Sequence, residues 1–66
     1  MKKIKEFRKR SKMSQAELAS NLGISQSMVA KWETGKNYPS VENLIVLSNL
    51  FNCTIDELVK GDSDAK

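Results

Sequence analysis

Residues that begin helices recur at short intervals along this chain, and they limit the fold more strongly than any other feature of the sequence. Ser and Thr favour the N-cap position, where the side-chain oxygen accepts a hydrogen bond from an unpaired backbone N–H group. A Glu three residues after the cap completes a capping box, as Glu17 and Glu57 do here. The four predicted N-caps are Ser14, Ser25, Ser40 and Thr54.

Glycine and asparagine supply the stop signals, because both tolerate the left-handed conformation that ends many helices. Runs of β-branched residues with period-2 alternation are missing, so no strand is predicted. The sequence therefore predicts a compact all-α, five-helix domain over residues 1–61, followed by a polar tail at 62–66 that is expected to fray. The helices run over residues 2–11, from Ser14 to Gly23, from Ser25 to Gly35, from Ser40 to Asn52, and from Thr54 to just before Gly61.

Apolar residues at helical spacing predict which face of each helix enters the core. Trp32 is assigned to this core, rather than to a base-stacking surface, because it stands three residues after Val29. Cys53 is expected to be a buried thiol rather than a redox switch. The residues expected to face inward are Ile4, Phe7, Arg8, Leu18, Ala19, Leu22, Val29, Trp32, Val41, Leu44, Leu47, Leu50 and Phe51.

The composition argues against an enzyme. His is absent and Cys occurs once, which removes His-based acid–base catalysis, Cys–His nucleophiles, the usual zinc sites and an internal disulfide. We therefore expect no catalytic residue, no metal ion and no cofactor. The longest apolar run is Leu44–Leu47, far shorter than a membrane span of about 20 residues or the core of a signal peptide. A cytoplasmic protein without a membrane segment is expected.

Charge is distributed unevenly along the chain. Residues 1–12 hold seven Lys or Arg and one Glu, a net charge of +6, whereas residues 13–36 are neutral. Residues 37–66 hold two Lys and five Asp or Glu, a net charge of −3. This separation favours a polyanion that approaches one side only, as a nucleic acid would. A solvated, Lys-rich first helix without a function explains the charge equally well.

The segment from Gln15 to Thr34 has the pattern of a helix-turn-helix, in which two helices cross at about 90–120° through a turn of three or four residues. The crossing requires a small side chain where the helices nearly touch, and Ala19 provides it. The turn requires a positive φ, which Gly23 adopts at low steric cost. Val29 and Trp32 then fix the second helix of the pair to the core.

Residues that match one family extend beyond this segment over almost the whole chain: Ile4, Phe7 and Arg8, then Ser14 to Ala19, Leu22 to Ser25, Val29, Trp32 to Gly35, Pro39, and Thr54 to Leu58. With them, residues 4–61 resemble the phage repressor/Cro-type helix-turn-helix family, also called the xenobiotic-response-element or lambda-repressor-like family. The resemblance implies a transcriptional regulator that binds double-stranded DNA in a sequence-specific way, with helices 2 and 3 forming the helix-turn-helix.

The outward face of helix 3 supplies the residues expected to read DNA bases. A helix fits the major groove of B-DNA, and side chains at its N-terminal end reach the base edges. Gln26 matches adenine as a bidentate partner, and Lys31 favours guanine. Ser27 is permissive, and Ala30 suits the methyl group of thymine. Two alternatives stay open: Lys31 contacts only phosphate, and Ala30 has no role in binding.

Other residues are expected to contact the DNA backbone. Gln15 opens helix 2, where unpaired N–H groups and the helix dipole favour a phosphate, and by resemblance it would also brace Gln26. Lys36 and Asn37 match the family's phosphate-contacting loop, although ordinary loop polarity explains them too. The residues expected to contact phosphate are Gln15, Thr34, Lys36, Asn37, Arg10 and Lys12.

Arg8 and Glu33 match family positions that form a partly buried ion pair between the first helix and the end of the third. Loss of one partner would leave an uncompensated charge, at a cost of about 3–5 kcal/mol. Both residues are therefore assigned a structural role. For Tyr38 two interpretations stay open, packing on helix 4 or an approach to DNA.

A single helix-turn-helix covers only a few base pairs, so specificity in this class comes from dimers that read half-sites about 34 Å apart. The resemblance implies a homodimeric repressor that binds an inverted-repeat operator and dimerises through the helix 5 region, Ile55 to Gly61. We expect no small-molecule ligand domain. The protein would then respond through its own concentration or stability, or through another protein.

Two other functions remain as alternatives. An antitoxin-like or other protein-interaction module would bind DNA only secondarily, but such proteins often extend the fold, and this chain ends soon after helix 5. A non-specific or RNA-binding module is disfavoured because the sequence lacks aromatic residues spaced for base stacking.

Overall fold

The computed structural model describes residues 1–63, and every regular element in that range is a helix. The five helices are α1 (Lys2–Arg10), α2 (Gln15–Leu22), α3 (Gln26–Thr34), α4 (Val41–Phe51) and α5 (Ile55–Ser63). α2 and α3 form the helix-turn-helix, and α1 packs against α3 and α5 on the other side of the core. The all-α architecture expected from the sequence is confirmed.

Side-chain caps begin four of the helices at the expected residues. Ser14, Ser25 and Ser40 each accept a hydrogen bond from the backbone N–H three residues later, at 3.0, 3.2 and 3.2 Å. Thr54 Oγ1 accepts from the Glu57 N–H at 3.1 Å, and the Glu57 carboxylate accepts from the Thr54 N–H at 2.8 Å. Each cap satisfies a donor that the helix itself leaves unpaired, which fixes where the helix starts.

Left-handed residues end three of the helices, and a fourth left-handed residue, which was not expected, follows the C-cap of α1. Gly23, Gly35 and Asn52 have φ values of 70°, 82° and 55°, as their residue types suggest. Lys12, after α1, has a φ of 58°, although its side chain makes this conformation less favourable than in glycine. A side-chain hydrogen bond from α1 stabilises this turn, because the Met13 carbonyl accepts from Arg8 Nη1 at 2.7 Å.

The core lies where α1, α2, α3, α4 and α5 converge on Trp32, whose exposed fraction is 1%. Phe7 and Phe51 stack at its edge, with ring centroids 5.7 Å apart. Met1 is also buried, and its backbone amino group donates a hydrogen bond to the Trp32 carbonyl. The completely buried apolar side chains are Ile4, Leu18, Val29, Leu47 and Leu58.

Two expectations about α4 and α5 were wrong. Val41 was expected to face inward but is 70% exposed, and only Leu47 and Phe51, in the later turns of α4, are buried. Val41 lies about 120° around α4 from Leu47, because each step of three residues falls short of a full turn, so the apolar stripe is wider than the buried face. α5 was expected to end before Gly61 but continues to Ser63, because glycine within a helix costs only about 1 kcal/mol relative to alanine. The rest of the expected tail, residues 64–66, lies outside the described residues.

Cys53 is half-buried rather than fully buried, and it packs at the edge of the core. Burial and the nearby negative charge of Glu57 raise the pKa of its thiol above the ordinary value. The thiol is therefore less reactive than an exposed cysteine, because the thiolate is the nucleophilic form.

Candidate nucleic-acid interface

The connection between α2 and α3 has the geometry of a helix-turn-helix. Gly23, Ile24 and Ser25 form the turn, and the Ile24 N–H donates to the Ala19 carbonyl at 3.0 Å. Ala19 itself is 3% exposed. Ala19 has no side-chain atoms beyond Cβ, so at this buried position it leaves room for the packing of α2 against α3.

α3 is divided into a buried face and an exposed face. Val29 and Trp32 have exposed fractions of 0% and 1% and hold the helix against the core. Ala30 is half-buried between the two faces. The exposed residues expected to touch DNA are Gln26, Ser27, Lys31 and Thr34. Because Val29 and Trp32 hold α3 against the core, the residues expected to touch DNA lie together on its exposed side.

Thr34 differs from the other exposed residues of α3 because its hydroxyl already has partners. Its Oγ1 donates toward the carbonyls of Ala30 at 3.1 Å and Lys31 at 3.3 Å. The two lone pairs of the hydroxyl oxygen are acceptors, whereas a phosphate needs a donor. A contact between Thr34 and phosphate would therefore require its hydroxyl to rotate away from the helix.

Arg8 and Glu33 form an ion pair that joins α1 to the last turn of α3. Arg8 Nε donates to Glu33 Oε2 at 2.7 Å, and Arg8 Nη2 donates to Oε1 at 3.3 Å. The exposed fractions of the two side chains are 10% and 3%. The two-pronged geometry is the strongest that a guanidinium and a carboxylate can make. The pair thus fixes the C-terminal end of α3 relative to α1.

The carboxyl group of Glu33 is held in its ionised form. Burial by itself would raise its pKa. Hydrogen bonds from Arg8 and Gln15, together with the positive charges of Arg8 and Lys5, outweigh burial and lower the pKa below the ordinary value of 4.5. Glu33 is therefore a carboxylate throughout the neutral pH range.

Gln15 connects this ion pair to the start of α3. Its Nε2 donates to Glu33 Oε1 at 3.0 Å, and its Oε1 lies 3.5 Å from Gln26 Nε2. The second distance is long for an N–H···O hydrogen bond. The structure therefore brings the two glutamines together, as the resemblance implied, and adds Glu33 as a partner of Gln15.

The loop after α3 is ordered by its own backbone. The N–H groups of Lys36 and Asn37 both donate to the Lys31 carbonyl, at 3.0 and 3.2 Å. Asn37 Oδ1 accepts from the Tyr38 N–H at 2.9 Å. The Lys36 side chain is exposed. Tyr38 is 61% exposed, so it does not pack into the core.

Arg10 and Lys12 lie at the C-terminal end of α1, and both are exposed. The Arg10 guanidinium sits over the Phe7 ring, 5.4 Å from its centroid. This cation–π contact holds the positive charge near the surface of α1. Lys12 is the left-handed residue of the turn between α1 and α2. It stands two residues before Ser14, the N-cap of α2.

Sequence reasoning missed the bond between Gln15 and Glu33. The two residues are 18 positions apart and lie on different helices, and neither periodicity nor capping relates them. Arg8 and Glu33 were paired only through the family resemblance. No signal within this one sequence identifies Gln15 as a third member of the same group.

The described part of the chain shows neither a cluster of metal ligands nor a membrane-spanning helix. Residues 1–63 contain no group of three or more His, Cys, Asp or Glu side chains placed to hold a metal ion. Within the same range, no helix has the length and apolar character needed to cross a membrane.

Comparison with known proteins supports a single family. The model of the helix-turn-helix family matches residues 4–58. The chain is 40% identical over 60 residues to the HTH-type transcriptional activator BcrR of Enterococcus faecalis, a match that covers 91% of this chain and 29% of the relative. It is 38% identical over 60 residues to the repressor protein C2 of Salmonella phage P22, covering 91% of this chain and 28% of the relative.

A shorter relative is matched over most of its length. An uncharacterized HTH-type transcriptional regulator of Archaeoglobus fulgidus is 32% identical over 62 residues, which are 94% of this chain and 87% of the relative. By contrast, the chain spans less than a third of the length of BcrR and of the phage repressor. No solved structure matches this chain.

Proposed function

This chain belongs to the helix-turn-helix family, and from that premise we propose that it regulates transcription by binding double-stranded DNA through α2, α3 and the loop after α3. The observation that carries the proposal is the division of α3. Val29 and Trp32 lock one face into the core, and the opposite face presents Gln26, Ser27 and Lys31 to solvent. A helix held in this way fits the major groove with its N-terminal residues on base edges.

The charges of the chain support the same orientation. Seven of the eleven Lys and Arg residues lie in residues 1–12, and Lys31 and Lys36 add positive charge at the end of α3. Nucleic-acid binding depends on such clustering, because each neutralised phosphate releases counterions. The acidic residues after position 37 are separated from this segment in the sequence, although α5, which carries Asp56 and Glu57, packs against α1.

The proposed roles of the individual residues follow from their positions. Gln26, Ser27 and Lys31 read bases, and half-buried Ala30 contacts a thymine methyl group. Gln15, at the N-terminal end of α2, binds a phosphate through the unpaired N–H groups of that turn. The remaining phosphate contacts are assigned to Arg10, Lys12, Thr34, Lys36 and Asn37.

The regulator is proposed to act as a homodimeric repressor on an inverted repeat. One α3 helix spans only a few base pairs, so two copies are needed for useful specificity. The α5 region, Ile55 to Gly61, is the proposed dimer contact. Among the relatives named above, one is called an activator and another a repressor, and the position of the operator relative to the promoter decides between these outcomes.

Selection from a random duplex library at two salt concentrations tests this function. We expect enrichment of an inverted repeat with half-site centres about one helical turn, or 34 Å, apart. Affinity for it should fall steeply with salt, because the contacts with phosphate release counterions. Salt-sensitive binding to every duplex, with no sequence enriched, would contradict a specific regulator. Enrichment of a single half-site without a repeat would contradict the proposed dimer but not sequence-specific binding.

A further inference from the structure

We propose that Glu33 is a positioning residue that sets the direction of the Gln26 side-chain amide, so that Gln26 presents the hydrogen-bonding pattern complementary to adenine. The proposal rests on the DNA-binding function proposed above and deepens it. Its basis is a series of four polar side chains, called here the hydrogen-bond chain, that leads from the interior to the exposed start of α3: Arg8, Glu33, Gln15 and Gln26. Hydrogen bonds of 2.7 and 3.0 Å join the first three, and the last link is a longer contact of 3.5 Å between Gln15 Oε1 and Gln26 Nε2.

The inner end of the hydrogen-bond chain is fixed. The Glu33 side chain is 3% exposed and is gripped by two nitrogen atoms of Arg8, at 2.7 and 3.3 Å. Arg8 is held in turn by the Met13 carbonyl at 2.7 Å. An ionised carboxylate only accepts hydrogen bonds. Whatever lies next to Glu33 must therefore offer a donor.

Gln15 meets this requirement with its NH2 group, which lies 3.0 Å from Glu33 Oε1. The opposite orientation would place the Gln15 carbonyl oxygen against a negative carboxylate, so it is strongly disfavoured. Since one end of the amide faces Glu33, the carbonyl end faces Gln26. The charge of Glu33 thus determines which atom of Gln15 the next residue meets.

Gln26 must then turn its own NH2 group toward Gln15, as it does at 3.5 Å in the structure. Its carbonyl oxygen and its second N–H remain available to DNA. Adenine offers an N6 donor and an N7 acceptor in the major groove, which match this pair, whereas guanine offers two acceptors. The amide of an exposed glutamine without a fixed neighbour exchanges its carbonyl and NH2 ends readily, so it could bind either adenine or guanine. The hydrogen-bond chain fixes the orientation of the Gln26 amide and thereby makes it selective for adenine.

The test compares affinities for four operator duplexes that differ only at the base pair read by Gln26. That base pair is identified as the one at which Gln26→Ala loses discrimination. The wild-type protein should prefer adenine over guanine by about tenfold or more. Glu33→Gln should reduce the preference to about threefold or less. A glutamine at position 33 can donate to Gln15 and so lets the direction of the chain reverse.

A charge-matched control separates this effect from simple electrostatics. Glu42→Gln makes the same change in net charge at an exposed position of α4, and it should keep the full adenine preference. If Glu33→Gln does not fold, Gln15→Ala provides the second variant, since Gln15 is only half-buried and its loss leaves the Arg8–Glu33 pair intact. It should weaken binding to all four duplexes and also flatten the ratio between adenine and guanine.

The outcomes distinguish the inference from the function on which it rests. A folded Glu33→Gln or Gln15→Ala protein that keeps the wild-type preference for adenine would overturn the positioning role. A wild-type preference for a base other than adenine at this position would do the same. Failure of the wild-type protein to prefer any duplex would overturn the proposed function, and the inference with it.

Discussion

At the level of single residues, the proposed interface combines side chains whose roles depend on quite different physical features. Gln26 acts through hydrogen-bond geometry and is exposed at the start of α3, whereas Lys36 acts through charge and lies in the loop beyond it. Residue type and helical position selected Gln26, whereas Lys36 was selected through the resemblance to the family's phosphate-contacting loop. The resemblance paired Gln26 with Gln15, but the hydrogen bond between Gln15 and Glu33 was not visible in the sequence, because these residues lie on different helices.

Substitutions at these two positions should separate sequence reading from charge neutralisation. Gln26→Ala should lower discrimination at one base pair by about 1–3 kcal/mol, with little change on unrelated DNA. Lys36→Ala should weaken binding to all sequences alike and reduce the slope of log affinity against log salt by about 1. Titrations of operator and scrambled duplexes at several salt concentrations measure both effects. Equal losses on both duplexes for both variants would show that the roles are wrongly assigned.

The ionisation of Glu33 should make stability depend on pH in the acidic range. Its pKa in the folded protein is below the ordinary value of 4.5, so the folded state binds fewer protons there than the unfolded state. The stabilisation is therefore complete above that value and is lost as the pH falls through the folded pKa. Urea denaturation from about pH 6 to about pH 3 should show the stability gap between wild type and Glu33→Gln closing as pH falls. A gap that stays constant would contradict this linkage.

At the level of helices and turns, the capping residues specify their own boundaries. Ser14, Ser25 and Ser40 start helices where the sequence predicts, because a cap depends on contacts within three residues. The left-handed turn at Lys12 was not predicted, since lysine has no preference for it. Backbone hydrogen bonds close this turn, from the Lys12 N–H to the Lys9 carbonyl at 3.0 Å and from the Met13 N–H to the Arg8 carbonyl at 3.1 Å. The Arg8 side chain adds a bond to the Met13 carbonyl. Residue preferences therefore place most boundaries and miss this one, where the residue type gives no signal.

The crossing of α2 and α3 provides a direct test at this level. Ala19→Phe should unfold the domain or strongly destabilise it, because a ring has no space at a position that is 3% exposed and overpacking costs about 1–3 kcal/mol or more. Ala16→Phe makes the same change at an exposed position of the same helix and should leave the fold intact. Thermal melting followed by circular dichroism compares them. A fully stable Ala19→Phe protein would show that the helices do not cross there.

At the level of the whole molecule, a small core holds five short helices. A chain of about this size buries only some 60% of the surface of its unfolded form, so each buried side chain contributes a large share of the stability. Four large apolar residues remain outside this core: Tyr38, Val41, Ile45 and Val46. Helical periodicity did not show which part of the wide apolar stripe of α4 is buried, since Val41 lies about 120° around the helix from Leu47.

Truncation of these two residues should have very different consequences. Leu47→Ala should cost about 2–5 kcal/mol of unfolding free energy, since the side chain is completely buried. Val41→Ala should change it by no more than about 0.5 kcal/mol, because Val41 is 70% exposed. Chemical denaturation of both variants under one set of conditions measures the contrast. Similar losses for the two would place Val41 in the core after all.

The sequence by itself determined the all-α class, the starts of the helices, the position of the helix-turn-helix and the exposed face of α3. These features follow from interactions within a few residues, namely caps, left-handed glycines and the 3.6-residue period. Only the tertiary structure decided that Val41 is exposed, that α5 continues to Ser63, and that Glu33 contacts Gln15 as well as Arg8. Each of these depends on how the helices are arranged around one another, and a one-dimensional pattern does not contain that arrangement.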